Sequence, residues 1–145
     1  MSFADKLLLW FHIGFAIFAI GPLTVVTSYV PRYIRARDLN VLRFLKRAAR
    51  LFGLPTLGVF LFGILLGRAS LAEVYLTVSM TLFIVAAVLL VIIDRDLSKA
   101  VRALENDNPD DDAKVQTGRI AALGGVTALI WLVILVLMVF NNPGS

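Results

Sequence analysis

Along this chain, long stretches of uninterrupted apolar residues alternate with segments in which cations dominate. Crossing the roughly 30 Å hydrocarbon layer of a bilayer takes about 20 residues at 1.5 Å each. Four stretches are of that order: residues 7–30, 51–67, 74–93 and 120–140. The second, 17 residues long, sits at the lower limit for a span. The runs are continuous rather than alternating segments of about 10 residues, so they predict helices and not barrel strands. A looser backbone would leave polar groups unpaired in lipid. The expected fold is therefore all-α: a four-transmembrane-helix bundle forming a single membrane domain, with longer loops at 31–50 and 94–119. The first run is too long for a signal peptide, ends in no small-x-small cleavage site, and has its arginines after it. It reads as a retained helix.

Composition agrees. Of 145 residues, 59% are apolar and 17% charged, with a mean hydropathy of +0.88, against about 45–50% and 25% in soluble domains. The absence of cysteine excludes disulfides, thiolate metal sites and palmitoylation. Lys and Arg fix an expected orientation. Arg32, Arg35, Arg37, Arg43, Lys46, Arg47 and Arg50 follow the first run, and Arg95, Lys99, Arg102, Lys114 and Arg119 follow the third. Only Lys6 and Arg68 stand on the other side. Twelve against two predicts cytoplasmic loops and an N-out/C-out topology. Trp10 and Tyr75 fall near the outer boundary, and Tyr29 and Tyr33 near the inner one, as interfacial aromatics do.

The two loops have structure of their own. Arg43, Lys46, Arg47 and Arg50 gather on one helical face, opposite Val41, Leu42, Leu45, Ala48 and Ala49. This predicts an interfacial basic amphipathic helix feeding the second span, either a topology anchor or a patch for anionic lipid or an acidic partner. In the second loop, Leu97, Val101 and Leu104 continue the helical spacing of the third run, which extends that helix by several turns. Asn108-Pro109 is expected to stop it. Asp110 or Asp111 then caps the next helix, in an acidic run that lacks the spacing and closing glutamate of a calcium loop.

Little in the apolar runs carries chemistry. None contains Asp, Glu, Lys or Arg, which argues against ion-coupled transport, and no phosphate-cradling motif or paired catalytic set appears. No enzymatic activity and no nucleic-acid partner is expected. His12, the only histidine, lies roughly 7–8 Å inside the outer boundary if the span begins at Leu7. Its structural reading is a hydrogen bond across helices to Ser79, Thr77 or Thr81. The alternatives are contact with a quinone or lipid headgroup, or haem ligation with Met80 or Met138. Gly21-Pro22 predicts a kink in the first span, freeing the Phe18 carbonyl, whereas Pro55 falls in the first turns of the second span, where a proline costs little. Gly63 and Gly67, and Ala121 and Gly125, form small-x-x-x-small pairs suited to close helix contact. Trp131, mid-span in the fourth run, reads as a packing anchor inside the bundle or toward a partner.

The segment Leu9-Trp10-Phe11-His12-Ile13, leading through Ile20 to Gly21-Pro22-Leu23-Thr24-Val25, resembles the opening of a family of small bacterial integral-membrane proteins catalogued only as a domain of unknown function. Trp131 to Val139, followed by Pro143-Gly144, is similar to that family's ending. The resemblance implies a four-helix protein of the bacterial inner membrane and draws notice to His12, Gly21 and Pro22, with no catalytic residues to carry over. The expected function is a non-enzymatic accessory subunit, holding no cofactor, that docks laterally onto a larger integral-membrane complex, such as a respiratory or transport assembly, and is surrounded by membrane lipids. A haem-, quinone- or lipid-binding protein using His12 is one alternative. A homo-oligomeric channel with Gly63 and Gly67 at the contact is another.

Overall fold

The computed structural model describes residues 2–68, 72–106, 108, 110 and 112–141. Pro109, Asp111 and Pro143-Gly144 lie outside the described residues. The chain is all-α: α1 (Phe3–Phe15), a π-helical turn (Ala16–Ile20), α2 (Gly21–Arg35), α3 (Leu39–Leu66), α4 (Val74–Leu104) and α5 (Lys114–Phe140). The first three join without a break, which leaves four helices of 33, 28, 31 and 27 residues, each long and apolar enough to cross a membrane.

Local chemistry explains the boundaries. Ser2 caps α1 by accepting from the Asp5 amide at 3.1 Å, and Asp38 caps α3 by accepting from Val41 at 3.2 Å. Between α2 and α3 the Asp38 amide donates to the Tyr33 carbonyl and the Arg37 amide to that of Ile34. Arg37 adopts a left-handed φ of 53°. This is a Schellman stop with an arginine where glycine is usual, and it shrinks the first loop to residues 36–38.

Three expectations are corrected. The basic segment from Val41 to Arg50 is an amphipathic helix feeding the second span, as expected, but it does not lie in the interface. It forms the first turns of α3, and Leu42, Leu45 and Ala48 are buried within the bundle. Pro55 consequently lies in the interior of a 28-residue helix rather than near a start, and its ring removes a donor from the Leu51 carbonyl. At the other loop, α4 ends at Leu104, before Asn108, and Asp110 does not cap α5. Asp112 accepts from the Lys114 amide at 3.1 Å, with Ala113 left-handed at φ 54°, while the Asp110 amide donates to Asn108.

Pro22 has its effect one turn upstream. Without an N–H, and with a ring that crowds the Phe18 carbonyl, it is accommodated by widening the helix over Ala16–Ile20. Thr24 Oγ1 donates to the Ile20 carbonyl at 2.8 Å just beyond it.

The helices run up and down, α1 along α3, α2 between α3 and α5, and α4 against both α5 and α3. The main core sits at the loop end of the bundle. Val30, Ile34, Leu42, Leu45, Ile93, Leu97, Val101, Leu104 and Ile120 belong to one buried cluster. At the end carrying the termini, α1 buries no residue at all, and α5 buries none beyond Ile130. Many of their apolar side chains, Phe3, Leu7 and Ile13 on α1 and Leu132, Leu135, Val139 and Phe140 on α5 among them, are exposed. That gradient suits a bilayer: apolar burial is strongly favourable where the alternative is water and nearly neutral where it is lipid.

Candidate functional site

Two places gather polar side chains. The first is the α1–α3 contact. His12 Nδ1 lies 2.9 Å from the Val59 carbonyl. A carbonyl only accepts, so Nδ1 carries the proton and the other ring nitrogen, Nε2, is left as an acceptor. Gly63 makes the approach feasible: a Cβ there would stand 3.0 Å from His12 Cε1 and 3.3 Å from Nδ1. Phe11 and Phe15 stack on Phe62 with centroids 5.2 and 5.4 Å apart, fixing the ring's surroundings.

The partner is thus a backbone carbonyl of α3 and not a hydroxyl of α4. Thr81 donates to the Thr77 carbonyl and Thr77 to that of Glu73, both within their own helix, while Ser79 Oγ is buried with no hydrogen-bond partner among the described residues. Run lengths could not reveal this, because they do not say that α1 lies along α3. Met80 and Met138 are half-buried on α4 and α5, the two helices α1 does not pack along.

The small residues divide into two sets. Gly63 and Gly67 face inward, and a Cβ on Gly67 would come 2.7 Å from Leu76 Cδ2. Both glycines are thus engaged in close contacts within the bundle. Gly21 has open space around it and makes no close helix contact within the bundle. On α5 the opposite holds: Ala121 and Gly125 are exposed, and a Cβ on Gly118, Gly124 or Gly125 would meet nothing within 4 Å. Trp131 packs inward, edge-on to Phe83 at 5.3 Å, and Phe83 stacks on Phe60 at 5.0 Å.

The second place is the loop end. Arg50 holds Asp94 with two hydrogen bonds of 3.1 and 3.2 Å, and Arg43 reaches Glu105 at 3.5 Å. Asp96 is only 2% exposed, and Arg119 grips both of its oxygens, Nε at 2.6 Å from Oδ2. Such a two-point guanidinium–carboxylate contact is the strong form of the ion pair. Sequence reasoning passed over Asp94 and Asp96 because they lie just beyond the third run. The signal was present, since Asp96 falls on the same stripe as Ile93, Leu97 and Ala100, a carboxylate on an otherwise apolar face. Among the described residues, no three His, Cys, Asp or Glu side chains converge.

Comparison with protein-family models, curated proteins and solved structures gives no match.

Proposed function

We propose that the protein is a non-enzymatic small subunit that docks laterally, through α5, onto a larger integral-membrane complex of the bacterial inner membrane, its loop end in the cytoplasm. The observation that carries this reading is the outward face of α5. Gly118, Ala121 and Gly125 line it at helical spacing with no neighbour to require their smallness. Glycine in a helix costs about 1 kcal/mol relative to alanine, so open glycines on a lipid-facing stripe are explained by a second helix that approaches there. From Ile120 onward α5 carries apolar residues on every side, with Thr127 the one hydroxyl, as suits a helix buried among other helices. The orientation rests on the twelve Lys and Arg at the loop end against two at the other.

The test is co-purification in mild detergent. The wild-type chain is expected to bring down larger partners in fixed stoichiometry, and Ala121→Leu with Gly125→Leu to release them while leaving the chain folded. Recovery of the wild-type protein as a lone monomer would contradict the proposal.

A further inference from the structure

Between α3 and α4, at the loop end, lies an open groove of about 510 Å³ lined by Arg43, Lys46, Arg47, Arg50, Val101 and Glu105. Four cations face one carboxylate within it. They are not equivalent. Arg43 is held by Glu105 and Arg50 by Asp94, whereas Lys46 and Arg47, between them on the same helix, make no hydrogen bond or ion pair with any described residue. The groove therefore presents two uncommitted cations between two oriented guanidinium groups, an arrangement that matches the oxygens of a phosphate.

We propose that this groove binds a phosphate-bearing anion, and that the phosphate is the headgroup of a net-anionic glycerophospholipid. The surroundings favour a lipid over a dissolved ion. Arg50 immediately precedes the apolar run from Leu51, so the groove opens where hydrocarbon gives way to headgroups. On the outward face of α3, Leu51, 65% exposed one turn toward the hydrocarbon from Arg47, offers acyl chains a surface, and Phe44, 61% exposed one turn to the other side, lies at headgroup level. Juxtamembrane cations of this kind attract anionic lipid. The site is independent of α5 and of whatever docks there.

Native mass spectrometry of the delipidated full chain in neutral detergent tests this, with phosphatidylglycerol, phosphatidylcholine, inorganic phosphate and a short polyglutamate as probes. One phosphatidylglycerol is expected to bind at least tenfold tighter than phosphatidylcholine, and an excess of inorganic phosphate is expected not to displace it. At about tenfold in affinity per 1.4 kcal/mol, and near 1 kcal/mol for each cation, Lys46→Gln with Arg47→Gln should weaken that binding roughly 30-fold. Arg95→Gln removes a cation at the same end outside the groove and should change it less than about twofold. Displacement of phosphatidylglycerol by inorganic phosphate, with the same dependence on Lys46 and Arg47, would retain the phosphate site and overturn the lipid as its source. Equal binding of the two lipids, indifference to the double substitution, or tight binding of polyglutamate alone would overturn the site itself.

Discussion

Among single residues, Asp96 and Arg119 show most clearly how burial decides what an interaction is worth. The carboxylate is almost wholly enclosed, while the Arg119 side chain is 47% exposed. Removing the arginine strands a charge in the core, and removing the aspartate leaves a guanidinium that water can solvate. The two truncations are therefore expected to differ. Arg119→Ala should lower the melting temperature in detergent by several degrees, Asp96→Ala by clearly less, and the double variant should recover part of the Arg119→Ala loss. Equal losses in both single variants would show that the asymmetry of burial has no energetic weight. His12 illustrates the limits of reading residues from a string. Its depth and its need for a partner were legible, but the partner was not, because Val59 offers a main-chain carbonyl, which every residue has, in place of a recognisable side chain.

At the scale of helices, what one glycine does depends on which side of its helix it faces. A methyl group on Gly67 would press into Leu76, itself buried, and overpacking of that kind costs roughly 1–3 kcal/mol. A methyl group on Gly125 would meet nothing and would relieve the helix of a glycine. Thermal unfolding of the isolated chain is expected to show Gly67→Ala destabilised and Gly125→Ala unchanged or stabilised, and the reverse order would place the bundle's close contact on α5. Sequence spacing marks both pairs alike, since small-x-x-x-small says that a helix approaches and not from where. Spans were readable because run length follows directly from hydropathy, and the extension of α4 was readable from the spacing of Leu97, Val101 and Leu104, whereas its stop at Leu104 and the start of α3 at Leu39 were not. Each helix continues past the apolar run on an amphipathic stripe, so segments 31–50 and 94–119, read as loops, are mostly helix and supply much of the core. Proline behaves likewise: the break at Pro22 was legible, but its form as a π-helical turn depends on how the carbonyls ahead of it repack.

Taken whole, the molecule is tight where its helices carry charge and loose where they are purely apolar. The loop end is bound by a hydrophobic cluster and by the ion pairs of Arg43, Arg50 and Arg119. Toward the termini α1 leans on α3, while α5 turns outward first its open glycines, in the half nearer the loop end, and then its leucines and valines. A chain so built has one end packed around its own core and one helix suited to company, which is the physical content of the docking proposal. Site-specific photo-cross-linking in intact membranes probes it in place, with the reactive group at Ala121 on α5 or, for comparison, at Leu57 on the exposed side of α3. The account predicts a discrete adduct with a different polypeptide from Ala121 and none from Leu57. Cross-links from Ala121 to lipid alone, or only to a second copy at twice the 15.9 kDa of this chain, would contradict it.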